Sequence, residues 1–418
     1  MRNSIQWKLV VAAILIMLMM HLIFLIGNLF GNANINYAAS LVRDAEEYRF
    51  AQALTLINAR KITKGHLTFQ YQGGVRSQEK QPFAELDPAP GLTFSILAAN
   101  RWTHEIDEYE PSYLLESSVN LLLAIEKDLN LFGTRYSYIN ATLCPTTDKV
   151  DRFSELVVLS RILPVDAIKK RQKNMDSLSL SCRTLLDVGS CIKQSVNSSL
   201  SNSYLVLLED DLVADGQLLQ YIWDIMIDIT SVSSSLKKNL GAIVLNVPDA
   251  DFKFSSFDAA SLWEFSVYSL GFTVLILFCI LPRRHRWLCS RSDLMLVCFT
   301  FVLSILIVSF IGRPRWANWL LILSRRKIFL YRSRSFGDSS SSALFIPSSL
   351  AVGLGKYLWT LNCSELDDQS PFGLKSSVIF DFLRTQNRDI YTVWPTLFQH
   401  RGLYSIYKND IHDPRLLN

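Results

Sequence analysis

The sequence predicts an α/β protein: a mostly parallel sheet with flanking helices, carried on an N-terminal transmembrane anchor and interrupted by a two-helix transmembrane insertion. Three observations predict it. Short uncharged runs, 92–99 and 204–208, are too apolar for half-exposed strands and read as strands buried on both faces. Amphipathic stretches separate them, and the order strand, helix, strand argues for parallel pairing. Three apolar stretches, 9–30, 263–281 and 294–311, are long enough to cross a bilayer core of about 30 Å and explain a hydrophobic content of 49%. The net charge of +4 is mild and calls for no nucleic-acid partner.

The first span follows Arg2 and Lys8 and precedes an uncharged stretch at 31–38, so the N-terminus is expected in the cytoplasm. It has no small-residue cleavage site and exceeds a signal-peptide core, which reads as an uncleaved signal anchor. Between the second and third spans lies a short basic turn with Arg283, Arg284, Arg286 and Arg291. The run from Arg313 to Arg334 is basic too, so charge alone leaves the hairpin's orientation contested. A hairpin nevertheless returns the chain to its own side. The expected organisation is a cytoplasmic tail (1–8), the anchor (9–30), a lumenal helical and linker region (31–90), the first part of a lumenal α/β domain (91–262), a helix (263–281), a cytoplasmic loop (282–293), a helix (294–312) and the second part of the domain (313–418). Sequons at Asn140, Asn197 and Asn362 fall on the lumenal side. So do Cys144, Cys182, Cys191 and Cys363, which allow two bridges in three connectivities or four free thiols.

Residues 36–61 have helical composition, and 63–90 are polar and turn-rich. The strand at 92–99 ends in Asn100 and Arg101, and an arginine there can reach a nucleotide or close a strand on the surface. Leu114, Leu115, Val119, Leu122, Leu123 and Ile125 recur at helical spacing across 111–131. A strand is expected at 135–142 and a helix at 151–163, ended by Pro164. The cluster 169–176 carries Arg171, Lys173 and Asp176 and fits either a solvated face or a phosphate contact. Residues 184–198 and 217–230 read as helices, 241–247 as a strand, 325–331 as a basic strand and 376–385 as a helix. Asp367 and Asp368 form a second acidic cluster, and His400 follows an apolar stretch near the end.

The decisive stretch is 204–212, where five uncharged residues run into Glu209, Asp210 and Asp211. Open α/β sheets place ligands at the C-terminal ends of their strands. Three adjacent carboxylates repel unless a cation neutralises them, and a hard divalent ion shares its coordination sphere with substrate phosphates. A solvated acidic turn fits the same residues.

An N-terminal anchor, a lumenal α/β body and a strand ending in Glu209-Asp210-Asp211 together resemble a Golgi glycosyltransferase of the GT-A fold and its DxD-like motif. The 171–176 segment and the stretch Phe398-Gln399-His400-Arg401-Gly402-Leu403-Tyr404-Ser405 are similar to segments of the N-glycan branching N-acetylglucosaminyltransferases. The hairpin inside the body resembles a narrower family, the post-GPI-attachment factors that add N-acetylgalactosamine to the glycan of GPI-anchored proteins. Ser405-Ile406 departs from that family's commoner Ser-Ser, and 36–61 does not align by eye.

That resemblance implies a metal-dependent, inverting glycosyltransferase in the Golgi membrane, multi-pass, with a cytoplasmic N-terminus. Glu209, Asp210 and Asp211 would hold Mn²⁺ on the diphosphate of UDP-N-acetylgalactosamine, with His400 completing the shell. Arg101, Arg171 and Lys173 would contact phosphate or nucleotide, Asp176 would orient the nucleoside, and Asp367 or Asp368 would be the base. The implied partners are the UDP-sugar donor, GPI-anchored proteins and the bilayer. A branching transferase acting on N-glycans and a non-catalytic membrane scaffold are the competing readings. The residues alone do not fix the donor sugar, the base, the disulfide pairing, sequon occupancy or the oligomeric state.

Overall fold

A computed structural model describes residues 47–57, 89–98, 113–132, 135–146, 154–165, 180–196, 202–231, 239–246, 265–274, 297–305, 307–308, 321, 327–333, 342–361, 374–400, 404–405 and 410–411. The expected anchor lies outside these residues. Within the other two expected spans, 265–274, 297–305 and 307–308 are helical. Among the described residues no helix is long and apolar enough to cross a membrane.

A seven-stranded sheet organises the rest. In chain order its strands are β1 (Gly91–Ala98), β2 (Tyr138–Pro145), β3 (Ser203–Glu209), β5 (Leu240–Val244), β6 (Phe329–Ser333), β7 (Ala343–Pro347) and β8 (Asp389–Trp394). Across the sheet they run β2-β1-β3-β7-β5-β8-β6. Pairings β1–β2, β1–β3 and β5–β8 are parallel; β7 opposes both β3 and β5, and β6 opposes β8. The sheet is therefore mixed, with all strands but β6 and β7 sharing one direction. Two short strands, β4 (Leu212–Ala214) and β9 (Phe398–His400), pair antiparallel beside it, and β10 (Tyr404–Ser405) pairs with β11 (Asp410–Ile411).

Side chains alternate across a strand, and here both faces are apolar. In β3, Tyr204, Val206 and Leu208 join one core, while Leu205 and Leu207 join the other. In β7, Ala343 and Phe345 face the first core, and Leu344 and Ile346 the second. The first core is closed by helices α1 (Tyr113–Phe132), α2 (Ser154–Leu159) and α4 (Leu218–Ser231); the second by α3 (Leu180–Ser195), α5 (Ser348–Trp359) and α6 (Leu374–Thr385). This is a three-layer arrangement, and it explains why the strands carry uninterrupted apolar runs.

Helix termini leave backbone N–H groups unpaired, and buried acids serve them. Glu155 Oε1 accepts from Leu115 N at 2.8 Å, and Asp128 Oδ2 from Leu219 N at 3.0 Å. Burial raises the Asp128 carboxyl above its ordinary value, against the lowering effect of N–H donation from Gln220 and Leu219. Helices α3 and α5 cross at glycines: a Cβ on Gly189 would sit 2.9 Å from Leu358 Cβ and 3.0 Å from Trp359 N. A disulfide joins Cys144, at the end of β2, to Cys191 on α3, with Cα atoms 5.6 Å apart. Cys182 is disulfide-bonded as well.

Several expectations shift in register. The strand expected at 135–142 occupies Tyr138–Pro145, the helix expected at 151–163 shortens to Ser154–Leu159, and the basic strand moves to Phe329–Ser333. The helix expected at 184–198 runs from Leu180 to Ser195. The apolar segment 343–356 divides at Pro347 into β7 and α5, as a proline that cannot continue a strand ladder would have it.

Candidate active site

The acids sit where the strand pattern placed them. Glu209 is the last residue of β3, and Asp210 and Asp211 form the turn into β4. A braid of main-chain bonds fixes this end of the sheet. Glu209 N donates to Ser342 O at 2.9 Å, Leu245 N to Ala343 O at 2.9 Å, Leu397 N to Leu245 O at 2.9 Å, and Asp215 N to Leu397 O at 2.9 Å. Asn246 Nδ2 adds a buried bond to Ser342 Oγ at 2.8 Å. Asn120 Oδ1, on α1, accepts from Ala214 N at 2.9 Å and holds β4 in place.

This braid delivers His400. The register of β4 against β9 sets Leu212 opposite His400, so the imidazole arrives beside the preceding residue. His400 Nε2 lies 3.0 Å from Asp211 Oδ2. One ligand atom each from Glu209, Asp211 and His400 falls within 4.8 Å of the others. Two carboxylate oxygens and one imidazole nitrogen form a donor set that suits a hard or borderline divalent ion and leaves room for substrate oxygens. Asp210 is buried but does not belong to that group.

Sequence reasoning missed one residue here. Lys375, the second residue of α6, pairs through Nζ with Glu209 Oε1 and is itself buried. A signal was present. Lysine in the first turn of a helix opposes the helix dipole, so its placement there points to an anion nearby.

The family model described as GPI-N-acetylgalactosamine transferase PGAP4 matches residues 92–399. The chain belongs to that family. It is thus a glycosyltransferase that acts on GPI, as the resemblance implied. A search of curated proteins finds no match. The PGAP4-family match begins in β1 and ends one residue before His400, so it contains the acid-bearing strand and Lys375. Arg101, Arg171, Lys173, Asp176, Asp367 and Asp368 lie outside the described residues. Of the predicted site, Glu209, Asp211 and His400 are the members the structure brings together.

Proposed function

We propose that this chain transfers N-acetylgalactosamine from UDP-N-acetylgalactosamine to the mannose core of the GPI glycan on GPI-anchored proteins, in the Golgi lumen, with Mn²⁺ held by Glu209, Asp211 and His400. The observation that carries this reading is the convergence of those three side chains at the C-terminal end of β3. When bound, such an ion offsets the charge that develops on the leaving diphosphate.

The chain's own residues supply the rest. Asp211 is buried at the base of the site, with His400 Nε2 beside it, so its carboxylate is held in one orientation. Lys375 keeps Glu209 in place. In an inverting transfer one carboxylate takes the acceptor hydroxyl's proton while that oxygen bonds the anomeric carbon and the diphosphate departs with the bonding pair. We assign this role to Asp367 or Asp368, which precede α6 by a few residues. Leu97 of β1 stands in register with Glu209, which supports Arg101 as a donor contact. Arg171 and Lys173 would bind phosphate, and Asp176 the nucleoside.

The acceptor is tethered to the lumenal leaflet by its lipid, and an enzyme on the same membrane meets it at raised effective concentration. Exposed apolar side chains in 265–274 (Val267, Leu270, Val274) and 297–305 (Phe301, Val302) support membrane contact by the hairpin. The basic run 313–334 would meet lipid or GPI phosphates.

The test uses cells lacking the protein that re-express wild type or Asp211→Ala. GPI glycans released from surface proteins are weighed. Wild type is expected to add one N-acetylhexosamine, and the variant to lose the addition by about 10²-fold or more. Unchanged GPI glycans with altered N-glycan antennae would transfer the assignment to a branching enzyme.

A further inference from the structure

Holding Glu209 in place does not by itself explain Lys375, which occupies a position that ordinary helix chemistry disfavours. It is buried, it stands in the first turn of α6, where the helix dipole is positive, and it has a carboxylate of the metal-ligand group as its partner. A buried ammonium is tolerated only when paired. Its partner Glu209 is not a spare acid: its oxygen is one of the three ligand atoms gathered within 4.8 Å. The same carboxylate therefore answers to two cations. An ion bound by Glu209, Asp211 and His400 would lie close to the ammonium, and like charges so near repel strongly at low dielectric.

We propose that Lys375 is a built-in second cation of the donor site, one that shares Glu209 with the divalent ion and binds the donor's diphosphate. The proposal rests on the metal and UDP-sugar reading above. Without an ion, Lys375 keeps Glu209 and Asp211 from repelling each other and preserves the shape of the site. With an ion, Lys375 weakens its hold. When the diphosphate arrives, the ammonium turns a repulsive neighbour into a bridge, because the added negative charge lies between the two cations. Ion and donor then bind together far better than either alone.

The experiment uses the full-length protein in detergent, with Mn²⁺ and UDP as probes. Free Mn²⁺ is counted by electron paramagnetic resonance, and UDP binding is measured by calorimetry in EDTA. Lys375→Met is expected to bind Mn²⁺ about tenfold more tightly without UDP, and to bind UDP in EDTA about tenfold more weakly. Lys375→Arg, which keeps the charge, should restore metal-free UDP binding towards wild type. These opposite signs separate the role from simple loss of structure, which would weaken both ligands. A second variant guards against misfolding of the first: Glu209→Gln removes the carboxylate charge that pairs with the ammonium and should strengthen UDP binding in EDTA while weakening Mn²⁺. Unchanged or weaker Mn²⁺ binding in Lys375→Met, unchanged metal-free UDP binding in it, or weaker metal-free UDP binding in Glu209→Gln, would each overturn the inference alone. A wild type that binds no Mn²⁺ even with UDP would overturn the metal reading and the inference with it.

Discussion

The crossing of α3 and α5 gives a sharp test, because two glycines on the same helix pair should respond oppositely to the same change. At Gly189 an added Cβ would stand 2.9 Å from Leu358 Cβ, 3.0 Å from Trp359 N and 3.2 Å from Gly355 O. Two of those three atoms are backbone and cannot swing aside. At Gly353 an added Cβ would meet only Phe382 Cζ, at 3.6 Å, which is ordinary van der Waals contact. Both glycines are inside helices, so alanine gains about 0.8–1.0 kcal/mol of helix propensity at either site. That term cancels in the comparison. What remains is overpacking at Gly189, about 1–3 kcal/mol when a tight interface must open. To restore a carbon–carbon spacing of about 3.5–4.0 Å the helices must part by roughly 0.6–1.1 Å, which also forfeits dispersion contacts along the seam. Gly353→Ala should stabilise by about 1 kcal/mol, and Gly189→Ala should leave the protein less stable than it by about 1–3 kcal/mol. Thermal unfolding of the two variants, followed by tryptophan fluorescence, should separate their midpoints by several degrees, at about 2–4 °C per kcal/mol for a domain of this size. If both variants rise together by similar amounts, the backbone contact at Gly189 is wrong.

Two further outcomes follow from the same frame. Replacing Cys144 and Cys191 by alanine opens a loop of 47 residues, worth about 4 kcal/mol of chain entropy; a midpoint unmoved in the double variant would refute a structural role. Asp128 has a folded-state pKa above 3.8 because of burial, so the folded chain holds that proton more tightly than the unfolded chain, and this carboxyl's penalty is present at neutral pH and vanishes as pH falls towards 3.8. Asp128→Asn retains an oxygen for Leu219 N–H, and wild type should therefore gain on the variant as pH falls; a wild type that loses ground on acidification would show the opposite sign.

Where hydrophobic periodicity was strong, the fold could be read directly. The strand β3 and its acidic end appear within one residue of expectation, because five apolar residues followed by three acids leave little choice of register. Helix α1 was equally plain, since its apolar residues repeat at helical spacing over twenty residues. Pro347 was available as a boundary between β7 and α5, but both sides of it are apolar and the change of period is buried in a continuous run. The antiparallel course of β7 between β3 and β5 was not legible at all. Direction is set by where the intervening chain returns, and composition does not record that.

The site divides along the same line. Glu209 and Asp211 were legible because they belong to one run of three acids whose repulsion asks for a cation. His400 had only a resemblance behind it; its position follows from β4 and β9, strands of three residues each, too short to produce a periodic signal. Lys375 carried one local signal, a lysine in a first helical turn against the helix dipole, and a reading by composition passes it over as ordinary surface. Its meaning depends on what lies across the gap, 166 residues away in sequence. A carboxylate cluster announces that positive charge is needed, but only the fold reveals that the chain already supplies some of it. An ion bound by Glu209, Asp211 and His400 would share Glu209 with Lys375, so a count of acidic ligands alone would overstate its affinity.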